Sequence, residues 1–278
     1  MKNQKELIHN TDWDTLVILD ACRYDYFKEI YNTYLEGRLK KVESPGTKTL
    51  FWLDKVFTET YLQDVIYISA NPYINSETQV EGFYGSEHFG KIVDVWSSGF
   101  DEELNTIPPK RTGKAARKAK MHDPEKRLIV HFMQPHDPYI ALDYSSQGFN
   151  SVMELVGGGV DTERTFKNKF FDSIGSIGSK ILGGNTMHKI GRFLNLNSPT
   201  RLEKIAEEFG EDTLKKAYRN NLQIVMEEVK TLAKRLPGRI IVTADHGELL
   251  GENGLYGHLF HNPSLKEVPW LEVEGVKK

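Results

Sequence analysis

Three short runs of β-branched and aliphatic residues, far apart in the chain, each finish at ionisable side chains. Thr15-Leu16-Val17-Ile18-Leu19 runs into Asp20, and Leu128-Ile129-Val130 runs into His131 and then His136. Ile240-Ile241-Val242-Thr243 leads to the adjacent pair Asp245-His246. Runs this short, apolar throughout rather than alternating, predict strands buried on both faces of a parallel sheet. Two weaker runs, Val65-Ile66-Tyr67-Ile68-Ser69 and Ile92-Val93-Asp94-Val95, extend that sheet. Open α/β sheets bind ligands beyond the carboxyl ends of their strands. Asp20, His131, His136, Asp245 and His246 are therefore candidates for one site.

Helical patterns separate the strands. Residues 47–61 can begin a helix with Leu50, Leu53 and Phe57 on one face. Residues 198–235 form a long amphipathic pattern, with Leu214, Ala217, Leu222, Val225 and Val229 near helical spacing. That pattern stops at Leu236-Pro237-Gly238, and the third strand follows at once. Alternation of this kind predicts the α/β class: a single domain over residues 1–278, its mostly parallel sheet flanked by helices. Residues 144–199 break the grammar, with Gly157-Gly158-Gly159, Gly175, Gly178, Gly183-Gly184 and Gly191 punctuating short apolar pieces. They read as an inserted cap placed to cover a substrate.

Composition narrows the classes. The chain is 39% apolar and 27% charged, which suits a sizeable core and excludes disorder. A net charge of −3 gives no basic character, so no nucleic-acid partner is expected. The single cysteine, Cys22, excludes an intrachain disulfide and any multi-cysteine zinc module. No apolar run approaches the ~20 residues of a membrane span, and the N-terminal residues lack a secretory pattern; no transmembrane segment and a cytoplasmic location are expected. The basic run at residues 110–120 lacks the Gly-Lys-Ser/Thr ending of a phosphate-binding loop. It reads as a solvated helix face, or else as a surface for an anionic polymer or lipid headgroup.

The most informative stretch is Thr243-Ala244-Asp245-His246-Gly247-Glu248-Leu249-Leu250-Gly251-Glu252-Asn253-Gly254-Leu255-Tyr256-Gly257-His258. A carboxylate and an imidazole at a strand end can reach one cation, and Gly247 permits a tight exit. His258 returns a further ligand-type group after a glycine-rich loop. Mixed carboxylate and imidazole ligands suit zinc or manganese.

This run resembles the sulfatase-like branch of the alkaline phosphatase superfamily, and most nearly the phosphoethanolamine transferases. Those enzymes read Ser-Asp-His-Gly-Glu-Ser-Leu-Gly-Glu-Asn-Gly-Leu-Tyr-Leu-His here. His131-Phe132-Met133-Gln134-Pro135-His136 is similar to their His-x-Met-Gly-x-His. Leu19-Asp20-Ala21-Cys22-Arg23-Tyr24-Asp25 is similar to Gly-Glu-x-x-Arg-x-Asp, and Gly46-Thr47-Lys48-Thr49 to Gly-Thr-x-Thr. Asp20 stands where the transferases have glutamate, and Pro45 where they have a disulfide-forming cysteine.

The resemblance implies an alkaline-phosphatase-like fold and an enzyme acting on a phosphate or sulfate ester. Thr49 would be the nucleophile, forming a covalent intermediate, and Asp20, Thr49, Asp245 and His246 would hold one divalent metal, Zn²⁺ or Mn²⁺. His131, His136 and His258 would surround the phosphoryl group or complete a second metal site, with Arg23 as a further contact to the ester. The substrate would be a small-molecule, glycan or lipid-headgroup ester, and the outcome hydrolysis or transfer to an acceptor hydroxyl. Several alternatives stay open on the residues themselves. Thr49 can serve as a helix cap, Thr47 or Ser44 can be the nucleophile, His131 can hydrogen-bond inside the core, and Arg23 can pair with Asp25. Cys22 lacks the Cys-x-Pro-x-Arg context of a sulfatase formylglycine and reads as a small buried side chain. A silent polyanion-binding domain that keeps the fold is the alternative of another class.

Overall fold

The computed structural model describes residues 1–142 and 199–277. The expected cap lies outside the described residues, apart from Pro199. The chain opens with β1 (Lys2–Asn3) and α1 (Gln4–Asn10), then alternates β2 (Thr15–Leu19), α2 (Tyr24–Tyr34) and β3 (Leu35–Glu43). It continues through α3 (Thr49–Phe57), β4 (Leu62–Ser69), β5 (Phe89–Asp94), α4 (Val95–Ser98), α5 (Pro109–His122) and β6 (Arg127–Phe132). After the undescribed residues come α6 (Arg201–Phe209), α7 (Glu211–Arg235) and β7 (Ile240–Ala244). A small hairpin, β8 (Leu249–Leu250) and β9 (Tyr256–Gly257), precedes β10 (Glu267–Val276).

Eight of these strands form one sheet in the order β1-β3-β10-β7-β2-β6-β4-β5. Every neighbouring pair is parallel except those made by β10, which runs antiparallel to both β3 and β7. The three apolar runs occupy adjacent central positions, β7-β2-β6. Leu16, Val17, Ile18 and Leu19 are fully buried, as are Leu128, Ile129, Val130, Ile241 and Val242. A central parallel strand is covered on both faces, which is why none of these segments alternates.

β3 carries no such run, and in β10 it is limited to Val268-Pro269-Trp270-Leu271. Their stability comes partly from cross-strand charge pairs: Lys40 with Glu272 at 2.7 Å and Lys41 with Glu267 at 2.6 Å. Such pairs are the unit of support on a solvated sheet face, and they leave no apolar signature in the sequence. The helical pattern at residues 198–235 is also two helices rather than one. Gly210, at φ 86°, ends α6 and begins α7, a backbone conformation that costs other residues more. Thr200 caps α6 in a reciprocal arrangement with Glu203.

Leu222, Val225, Val229 and Leu232 of α7 join the main core. Tyr139, Leu202, Ile205, Leu214 and Tyr218 form a second apolar cluster with Leu250. The basic run forms α5, which turns Thr112, Gly113, Ala116 and Ala119 inward and leaves Lys110, Lys114 and Lys118 exposed. Among the described residues, no helix is long and apolar enough to cross a membrane.

The turn between β3 and α3 is packed against the helix it introduces. A Cβ on Gly46 would lie 2.5 Å from the Trp52 backbone nitrogen, inside any tolerable contact. Gly46→Ala is therefore expected to destabilise the protein by about 1–3 kcal/mol, measured as a lower urea midpoint. An unchanged midpoint would show that this turn relaxes freely.

Candidate active site

Strand register sets the first step. Leu19 stands opposite both Phe132 and Ala244, so Asp20 and Asp245 leave adjacent strands side by side. The chain turns immediately afterwards through Ala21, at φ 57°. This left-handed conformation costs a non-glycine residue about 1–3 kcal/mol unless its surroundings hold it. Here the Ala21 N–H donates to Asp245 Oδ1 at 3.1 Å, and the Tyr218 hydroxyl donates to the Ala21 carbonyl at 2.7 Å. Tyr218 also accepts from the Arg23 N–H at 2.9 Å.

Thr49, the first residue of α3, donates its hydroxyl proton to Asp245 Oδ2 at 2.7 Å. The Asn71 amide, two residues beyond β4, donates to Asp20 Oδ2 at 2.7 Å and lies 3.5 Å from Thr49 Oγ1. His246 Nδ1 lies 2.8 Å from the Gly247 carbonyl, which requires the proton on that nitrogen. Its Nε2 lone pair therefore faces inward, 3.5 Å from Asp20 Oδ1 and 3.5 Å from Asp245 Oδ2. Five loops, all at the carboxyl ends of parallel strands, supply these groups and His136.

The electrostatics show a shortage of positive charge. Burial, and then the neighbouring Asp245, push the Asp20 carboxyl well above the usual range. Burial also works against the Asp245 carboxylate, but His246, His131, the Thr49 hydroxyl and the Ala21 N–H outweigh it and hold its pKa low. Asp20 Oδ1 is buried with no hydrogen-bond partner among the described residues. One ligand atom from each of Asp20, Asp245 and His246 lies within 4.8 Å of the others. An orphaned carboxylate oxygen, a second carboxylate and an inward imidazole lone pair fit a divalent cation.

A second cluster adjoins the first. The β8–β9 hairpin pairs Leu249 with Gly257, which brings the flanking Glu248 and His258 together. Glu248 Oε1 lies 3.0 Å from His258 Nδ1; its Oε2 is buried without a partner among the described residues, 3.9 Å from His136 Nε2. The His136 N–H donates to the Asp20 carbonyl at 3.1 Å, tying the two clusters through the backbone. Burial disfavours the imidazolium of His136, but Asp137, Asp20 and Glu248 prevail and raise its pKa to about 10. Asn221 holds this loop, its amide donating to the carbonyls of His136 at 3.1 Å and Pro138 at 2.9 Å.

Both clusters open on a cavity of about 370 Å³ lined by Asp20, Thr49, Asn71, His136, His246, Glu248 and His258, among others. Leu50, Pro72, Met133, Leu202 and Tyr256 add apolar wall. Of the sequence candidates, Asp20, Thr49, His136, Asp245, His246 and His258 come together. His131 does not line the cavity: it is fully buried, 2.8 Å from the Tyr67 hydroxyl and 3.9 Å from Asp245 Oδ2, and burial lowers its pKa to about 4. Its Nε2 is buried without a hydrogen-bond partner among the described residues.

Arg23 is also outside the lining. Its guanidinium is taken up by both oxygens of Asp25 at 3.0 and 2.7 Å, by Glu252 and by the Glu248 carbonyl. Pairing with Asp25, rather than contact with an ester, describes it. Ser44 braces its turn by donating to the Asp245 carbonyl, and Cys22 is buried, its thiol pushed up by desolvation. Sequence reasoning did not single out Asn71, Asp137 or Glu248. Glu248 had a signal, two residues after His246 in the most informative run, whereas Asn71 had only its place beyond a weak strand.

No protein-family model matches the chain, and no curated protein matches it. Solved structures share its fold, among them two domains with the following likeness. The C-terminal periplasmic domain of phosphoethanolamine transferase EptC from Campylobacter jejuni is 14% identical, with a TM-score of 0.50 over 92% of this chain and 77% of that chain. The C-terminal periplasmic domain of EcEptC from Escherichia coli, in complex with Zn, is 13% identical, with a TM-score of 0.53 over 98% and 75%. The chain thus has the mostly parallel, helix-flanked α/β fold of these two domains.

Tyr218 holds the turn that carries Asp20 and is not itself among the residues that line the cavity. Tyr218→Phe leaves a buried carbonyl and a buried N–H unpaired. It is expected to cost about 1–3 kcal/mol of stability, measured by urea denaturation. A variant as stable as the parent would mean that Ala21 needs no such support.

Proposed function

We propose that this protein is a divalent-metal-dependent enzyme of phosphate esters, with Thr49 as nucleophile. One observation carries the reading: the Thr49 hydroxyl donates to Asp245 Oδ2 at 2.7 Å, beside the orphaned Asp20 oxygen and the inward His246 nitrogen. Asp20, Asp245 and His246, with Thr49 Oγ1, would hold the metal, zinc or manganese; the zinc complex of the E. coli domain supports zinc. When bound, a divalent cation there lowers the pKa of the hydroxyl and neutralises charge on the ester oxygens.

The residues divide the remaining work. Donation to Asp245 turns the Thr49 lone pairs toward the cavity, and Asn71 fixes Asp20 beside it. Oγ1, its proton released to solvent, attacks phosphorus and forms the phosphothreonyl bond as the leaving-group bond breaks. His136, held protonated near neutral pH, donates to the non-bridging oxygens or to the departing oxygen. His258 is oriented by Glu248 at the cavity wall beside it. Alternatively, His136, Glu248 and His258 hold a second cation, since one ligand atom from each lies within 4.8 Å of the others.

Release of the phosphoryl group to an acceptor hydroxyl is favoured over release to water by the likeness to two transferase domains. A phosphorus centre is favoured over sulfur because Cys22 is buried and outside the cavity lining. The intact cation cluster opposes a silent binding domain.

Acid quenching during turnover of a chromogenic phosphate ester, followed by peptide mass spectrometry, tests the reading. The adduct is expected on Thr49, and Thr49→Ala should lower turnover by about 10³-fold or more. An adduct on Ser44, Thr47 or Cys22, or retained turnover in Thr49→Ala, would contradict it.

A further inference from the structure

Besides His136, two cationic side chains, Lys48 and Arg201, appear among the described residues that line the cavity. The Lys48 ammonium lies over the Phe51 ring, 5.1 Å from its centre. Arg201 is different: its side chain is 19% exposed, and its Nη1 lies 2.5 Å from Asp137 Oδ2. Asp137 Oδ1 in turn lies 3.0 Å from His136 Nδ1. The guanidinium is thus one carboxylate beyond His136, outside the Asp20–Asp245–His246 cluster. Its Nε is buried and has no partner among the described residues. A guanidinium has five donors in a planar fork. Asp137 engages Nη1, and among the described residues Nε has no partner.

We infer that Arg201 binds a second oxyanion of the substrate, a carboxylate or phosphate set apart from the reacting ester. The inference rests on the phosphate-ester reading and names the class of substrate for that site: an ester bearing a further anionic group. Asp137 serves as the positioning residue, holding the fork so that Nε can meet the ligand. A burial-ready donor of this kind gains most from a charged acceptor, because charge-assisted bonds are about twice as strong as neutral ones. The opposing feature is Glu81, an exposed carboxylate that also lines the cavity and would favour a cationic group instead. The two cases differ in the sign of the preferred ligand.

Isothermal titration of the full-length protein with three phosphonates of matched length separates them: 2-carboxyethyl-, propyl- and 2-aminoethylphosphonate. The wild type is expected to bind the carboxyethyl compound roughly 10-fold more tightly than the propyl compound. Arg201→Gln should erase that preference while keeping propylphosphonate affinity, and Arg201→Lys should retain part of it. Equal affinities in the wild type, tightest binding of the aminoethyl compound, no binding of any of the three, or a parallel loss of all affinities in Arg201→Gln would overturn the inference. Should Arg201→Gln not fold, an undiminished preference in Arg201→Lys would overturn it equally, and a reduced one would support it. Turnover of 4-nitrophenyl propyl phosphate by the wild type reads the enzymatic proposal separately. Preference without turnover keeps the role of Arg201 and removes the enzyme; turnover without preference does the reverse.

Discussion

Two carboxylates buried side by side are the constraint on which the rest of this structure turns. Asp20 and Asp245 follow directly on adjacent central strands whose register fixes them together. Buried charge is costly unless it is paired and hydrogen-bonded, and the described protein groups compensate only one of the two. Asp245 accepts from Thr49, the Ala21 N–H and the His246 N–H. Asp20 accepts from Asn71 alone and keeps one bare oxygen. An unbalanced carboxylate pair at a cavity fits a cation.

The surroundings are arranged to keep that imbalance in place. Gln4, from the first helix, donates to Thr243 at 2.8 Å and to the Ala244 carbonyl at 2.6 Å, pinning the end of the strand that carries Asp245. Trp52 in turn donates to Gln4 at 2.9 Å, coupling α3, and so Thr49, to the same point. On the other side, Tyr218 and Asn221, both on α7, hold the turns that carry Asp20 and His136. Rigid elements therefore set the site, and short loops only present it, the condition for holding reacting groups in a preorganised geometry.

Much of this was legible in the sequence, for a physical reason. Central parallel strands must be apolar throughout, so β2, β6 and β7 announced themselves and their ends pointed to Asp20, His136, Asp245 and His246. His258 was legible as a ligand-type group returning after a glycine-rich loop, whereas the hairpin that returns it was not. What stayed hidden lacked a periodic signal. β3 and β10 are held partly by cross-strand charges, and the break at Gly210 is one residue in a continuous amphipathic pattern. For Arg23 and His131 the sequence left two readings open, and the contacts formed are with Asp25 and Glu252 for the one and with Tyr67 for the other. Asn71, Asp137 and Arg201 matter through contacts that only folding creates.

The central claim is that Asp20, Asp245 and His246 form a cation site bearing on Thr49. A crystal structure of the purified protein, with anomalous diffraction recorded at the zinc and manganese edges, tests it most directly. The account requires an anomalous peak bonded to Asp20, Asp245 and His246, at about 2.0–2.2 Å for zinc, and its loss in Asp245→Asn. A protein that crystallises with this cluster free of metal after incubation with both ions, or a peak that persists in Asp245→Asn, would contradict it.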